Sequence, residues 1–127
     1  ELRARADVNR WMFWSAQHFA PMIGIFYWEN FIKGLIGAGR PDPVELQRAQ
    51  TDLERYAGVL DGHLAQRRWV SGSSLTLADL AIAAPLMAVE PGRVPLAPYA
   101  NLRAWFSRMQ ELDAWRQTEL EEELLIA

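Results

Sequence analysis

The sequence predicts an all-α domain, a bundle of five helices. Three observations carry that class. Apolar residues recur at spacings of three and four along nearly the whole chain, the period of helices buried on one side. Thr, Val and Ile are too scattered to build alternating strand runs. Two helix-start signatures, Asp42-Pro43 and Thr76-x-x-Asp79, stand directly before apolar stripes. At 127 residues, one domain over 1–127 is the natural size.

The first helix is expected from about Ala4 to Leu35. Val8, Trp11, Met12, Ser15, Phe19, Met22, Ile23, Phe26 and Asn30 share one stripe, and Phe13, Trp14, Ile25, Trp28, Phe31 and Ile32 cover much of the rest. A helix apolar on nearly all sides sits centrally or at an interface. Pro21 removes a backbone donor and crowds the carbonyl of Gln17, so a kink is expected there. Gly34, Gly37 and Gly39 end the helix.

Asp42 is the expected N-cap of the second helix, with Pro43 at its first position and Glu45 closing a capping box. Leu46, Ala49, Leu53, Tyr56, Ala57, Leu60 and Leu64 form its core stripe, and it ends near Gln66. Thr76 and Asp79 form a second capping box, with Leu75 and Leu80 closing over it as a hydrophobic staple. The third helix, Leu77 to about Val89, is nearly free of charge and reads as the buried centre, kinked at Pro85. Glu90 to Pro98 reads as a loop. A fourth helix runs from Tyr99 or Asn101 to about Glu111, with Leu102, Trp105, Phe106 and Met109 inward. Asp113 is expected to cap a short fifth helix, which the acidic stretch Glu119 to Glu123 either extends or leaves as a solvated end.

Composition narrows the function. Thirteen basic against sixteen acidic residues give a net charge of -3, which argues against a dedicated nucleic-acid or membrane-surface binder. With no cysteine there is no disulfide, thiolate metal site or cysteine nucleophile in the chain. His18 and His63 have no carboxylate at zinc-motif spacing. No apolar run reaches ~18 residues, so no membrane span is expected. No signal peptide is visible and the compartment reads as cytoplasmic. A chain opening on Glu1 reads as one domain of a longer protein.

Several motifs together are familiar. They are Arg10-Trp11-Met12-Phe13-Trp14 with His18 and Pro21, the Asp42-Pro43 start, and Leu53 through Leu60 and Leu64. Then follow Trp69-Val70-Ser71-Gly72, the box Ser74-Leu75-Thr76-Leu77-Ala78-Asp79, and Ala97-Pro98-Tyr99-Ala100-Asn101-Leu102 with Trp105. In this combination the chain resembles the helical C-terminal domain of bacterial-type cytosolic glutathione S-transferases. The resemblance implies a thioredoxin-like N-terminal domain outside these 127 residues. That domain would bind glutathione and supply the Tyr, Ser or Cys that stabilises its thiolate. The helical domain alone would bind no cofactor and hold no catalytic residue. It would wall the site of a small hydrophobic electrophile and build much of a homodimer interface. A second reading makes the same bundle a non-catalytic assembly module that docks other proteins.

The stripe Asp7, Arg10, Trp11, Trp14, Ser15, His18 mixes aromatic and polar groups near the expected site entrance. Arg10, Trp11, Trp14, Ser15 and His18 are therefore the candidate substrate-binding residues. Apolar surface with a few directed polar groups suits such an electrophile. Arg10 or His18 would bind a glutathione carboxylate or polarise a carbonyl. The alternative stands beside it: Trp11 and Trp14 as packing residues, His18 as a satisfied core histidine. The run Phe26-Tyr27-Trp28 reads as core first and dimer patch second. Tyr27 and Trp28 point roughly 100° apart, so one must face a partner or solvent. His63 reads as a surface residue. Thr76 and Asp79 read as structural.

Overall fold

The computed structural model describes residues 1–119. Among them there are five helical rods and no strand. The first rod is continuous from Leu2 to Leu35. It comprises α1 (Leu2–Trp14), a π turn at Ser15–Phe19, α2 (Ala20–Tyr27), a second π turn at Trp28–Ile32 and α3 (Lys33–Leu35). The second rod is α4 (Pro43–Leu64). The third joins α5 (Leu77–Ala83), a 3₁₀ segment at Ala84–Ala88 and α6 (Val89–Gly92). The last two rods are α7 (Ala100–Gln110) and α8 (Asp113–Thr118).

The π turns explain the long stripe. Trp11, Ser15 and Phe19 are all buried, at spacings of four. In an α-helix eight residues overrun two turns by roughly 80°. The wider turn at Ser15–Phe19 absorbs that drift and keeps the three on one face. It also stands just ahead of Pro21, so the rod adjusts where the expected kink was placed. The second π turn carries Glu29 inward, to 4% exposure. Its carboxylate accepts from the Lys33 ammonium at 2.6 Å and from the Asp42 amide at 2.7 Å. This ties the end of the first rod to the start of the second. Lys33, and then the Asp42 N–H, hold the Glu29 carboxyl below its usual range.

The core is one cluster around Phe19, Leu53, Leu60, Ile82, Leu102 and Trp105. At its centre both halves of the Thr76–Asp79 box are present. The Asp79 carboxylate accepts from the Thr76 amide at 3.0 Å and the Val70 amide at 2.9 Å. It also accepts from the Trp105 indole at 2.9 Å. Neutral donors thus satisfy a fully buried carboxylate, the condition for burying one at all. Asp61 on α4 accepts from the amides of Asn101 and Leu102 at 2.8 and 3.0 Å. From α4 it caps α7, whose own N-cap residue, Tyr99, makes no side-chain cap bond.

Several local expectations are corrected. Asp42 caps α4 through the Val44 amide, but Glu45 turns to Arg48 at 2.8 Å and closes no box. The second helix ends at Leu64. Leu75 and Leu80 remain 39% and 42% exposed, too open for a buried staple. Pro85 tightens its rod into a 3₁₀ segment. The rod then runs through Pro91 to Gly92, ended by Arg93 in the left-handed region at φ 54°. The helix continues because the Asn30 side-chain amide caps the Gly92 carbonyl at 2.7 Å. Asp113 opens α8 from inside, with Leu112 as N-cap and no side-chain cap bond. α8 stops at Thr118. The rest of the acidic stretch, Glu121 to Glu123, lies outside the described residues. Among the described residues no helix is long and apolar enough to cross a membrane.

Candidate functional site

The first rod presents its candidate residues in two directions. Trp14 is half-buried and His18 exposed, and both meet Tyr56 of α4. The His18 and Tyr56 rings stack at 5.0 Å and 19°. Trp14 stands edge-on to Tyr56 at 6.2 Å and stacks on the buried Phe19 at 5.4 Å. The result is an aromatic surface with three polar tips: an indole N–H, an imidazole and a phenol. Its anchor is the core itself, through Phe19.

Trp11 and Ser15 turn the other way. Trp11 is 5% exposed, edge-on to Trp14 at 5.2 Å and tilted over His63 at 4.5 Å. The Ser15 hydroxyl donates to the Ala81 carbonyl at 3.0 Å, pinning the π turn to α5. Arg10 stays at the surface, paired with Asp7 at 2.6 Å. The Asp7 carboxylate also accepts from the Ser71 hydroxyl at 2.5 Å. Ser71, and secondarily Arg10, pull the Asp7 carboxyl below its usual range. Of the five candidates, then, Trp14 and His18 come together, Trp11 lies behind them, and Ser15 and Arg10 bind elsewhere.

His63 is a correction. It is half-buried, not free on the surface. Its Nε2 donates to the Val70 carbonyl at 2.6 Å while its ring meets Trp11. Tyr27 is half-buried against Phe31 at 5.4 Å, and Trp28 is 44% exposed. Phe26 is core. The aromatic run is therefore split between core and surface.

The central rod is not buried all round. Leu77, Leu80 and Met87 are 60%, 42% and 37% exposed. They form a stripe with the exposed Ala84. A groove of about 200 Å³ runs beside it, lined by Leu80, Ala84, Met87, Met109, Leu112 and Trp115. A second hollow of about 370 Å³ lies between Leu77 and the start of α1, at Ala4 and Val8. Together they make a largely apolar face across four rods.

The family model for the C-terminal domain of glutathione S-transferase matches residues 18–113. The chain belongs to that family. Among relatives, it is 28% identical over 124 residues to disulfide-bond oxidoreductase YfcG of Escherichia coli (strain K12), matching 98% of this chain and 55% of that protein. It is 27% identical to FtsZ-localized protein A of Caulobacter vibrioides, over 88% of this chain and 50% of that one. The solved structure of a glutathione S-transferase III in apo form shares the fold at TM-score 0.82 and 24% identity, covering 89% of this chain and 53% of that one. The chain thus spans about half the length of the curated relatives it matches.

Tyr56 was missed as a functional candidate. Its spacing put it on the α4 core stripe, where it does pack at one edge. Only the meeting with His18, 38 residues away in sequence (56 minus 18), marks its other face. No local signal announced it.

Proposed function

We propose that this glutathione S-transferase C-terminal domain walls the electrophile site of a protein that conjugates glutathione to small hydrophobic compounds. The observation that carries the reading is the Trp14–His18–Tyr56 surface. It offers flat apolar area with polar tips, the makeup of a small-molecule wall. Trp14 and His18 touch the electrophile, and Tyr56 joins them. Arg10, one turn before Trp14 and paired with Asp7, stands at the edge of the wall. Trp11 and Ser15 hold the wall from behind.

Glutathione is the co-substrate of the whole protein, bound by a thioredoxin-like N-terminal domain that also activates the thiol. The helical domain supplies no group for that step. It excludes water and orients the electrophile, so that attack by the thiolate forms the C–S bond and expels the leaving group or opens the acceptor. The open face along Leu77, Leu80, Ala84 and Met87 supports docking of that N-terminal domain here. Continuous apolar area of this kind marks an interaction surface. Exposed Trp28 supports a homodimer contact at the other end of the first rod.

The experiment is a glutathione-conjugation assay of the whole protein with a generic aryl halide. Turnover above the uncatalysed rate, absent from the isolated 127 residues, is the expected result. A whole protein that binds glutathione nowhere and turns over nothing would leave the bundle as a protein-docking module. FtsZ-localized protein A, a relative whose name places it with another protein, keeps that second reading concrete.

A further inference from the structure

A different cavity opens where α4 ends. It measures about 770 Å³ and is lined by His63, Gln66, Arg67, Arg68, Gly72 and Ser73 among others. Among the described residues the ion pairs are Arg10–Asp7, Lys33–Glu29 and Arg48–Glu45, and neither Arg67 nor Arg68 is paired with a carboxylate. Arg108 brings a third guanidinium to the same loop. Its Nη2 donates to the Arg68 carbonyl at 2.8 Å, and its Nε is buried with no acceptor. The Arg68 guanidinium lies over the Trp69 ring, 5.6 Å from its centroid, which restrains it at the rim.

The negative end of the α4 dipole accounts for some positive charge here, but its equivalent is only about half a unit. Arg67 and Arg68 line the cavity with two exposed guanidiniums, and Arg108 donates to the same loop. A multiply charged anion would pair with both lining guanidiniums at once. Guanidinium forks match phosphate oxygens two at a time. The Ser73 hydroxyl and the Gln66 amide add neutral donors at the wall. The volume lies in the range of sites that hold small molecules.

We propose that this cavity binds a free phosphorylated small molecule of about nucleotide size, held by Arg67 and Arg68. The site is separate from the Trp14–His18–Tyr56 surface and does not depend on the conjugation reading.

The test is calorimetric titration of the whole protein with inorganic pyrophosphate, and separately with phosphatidylglycerol vesicles. Saturable pyrophosphate binding that weakens as salt rises is expected. It should weaken about tenfold or more in the Arg67→Gln/Arg68→Gln variant. It should be unchanged in Arg40→Gln, which alters an exposed arginine outside the cavity. These arginines are exposed, so all variants should melt as the parent does, and the melting curve checks it. No pyrophosphate binding, equal binding in the double variant, or binding to vesicles alone would each overturn the proposal.

Discussion

The indole of Trp105 donates to the carboxylate of Asp79 at 2.9 Å, joining α7 to the N-terminus of α5 inside the core. The same oxygen accepts from the Val70 amide. One carboxylate therefore fastens a turn, a helix start and a second helix. Asp79→Ala would strand two buried donors and one half-buried one, and should cost about 3 kcal/mol or more. Trp105→Phe removes one donor and should cost about 2 kcal/mol. Denaturant midpoints check both. A double-mutant cycle should show coupling, because the two losses share one bond.

Asp61→Ala removes the carboxylate that caps α7 from across the bundle. The expected cost is about 1 kcal/mol, that of an ordinary N-cap. Asp61→Asn keeps an acceptor and should recover much of it. Thermal melts of the two variants give the comparison.

Glu29 ties the first rod to the second through Lys33 and the Asp42 amide. Its carboxyl is held below the usual value of 4.5. A depressed carboxyl pKa gives stability that is complete above the unfolded value and lost as pH falls through the folded one. The melting temperature should therefore fall below about pH 4.5. Glu29→Gln should lower it at neutral pH and shrink the difference from the parent in acid. A melting series across that range reads the sign directly.

Gly92 packs so closely that an added Cβ would lie 3.1 Å from the Tyr27 backbone. The atoms it would meet, of Tyr27 and Phe26, are main chain inside the first rod and do not yield cheaply. Gly92→Ala should cost about 1–3 kcal/mol, measurable as a lower denaturant midpoint.

These sites differ in how far the sequence exposed them. The Thr76–Asp79 box was legible because its partners are three residues apart and the spacing is itself the signal. The Trp105 and Val70 donors to Asp79 were not, since tertiary contacts leave no local mark. Glu29 carries no signal in the sequence, because it is the π turn that rotates it inward. Pro91 and Gly92 read as helix breakers, and the turn survives because Asn30 caps it from another rod. For the candidate surface, Trp14 and His18 stood out by mixing aromatic and polar character on one stripe. Tyr56 was hidden among core positions, and His63 was read as surface because Trp11 and Val70 approach it from distant segments. The apolar face of the central rod reads as buried in the sequence, because hydrophobicity alone does not say which side of a helix the bundle covers.

Steady-state kinetics of the whole protein carrying Trp14→Ala, with the electrophile and glutathione varied separately, tests the role of the Trp14–His18–Tyr56 surface. Trp14 contacts the buried Phe19 and the half-buried Tyr56, so a melting curve first confirms that the variant is folded. The KM for the electrophile should rise about tenfold, the loss of part of one aromatic wall. The KM for glutathione should stay as in the parent. An unchanged electrophile KM, or an equal rise in both constants, would contradict the assignment of this surface.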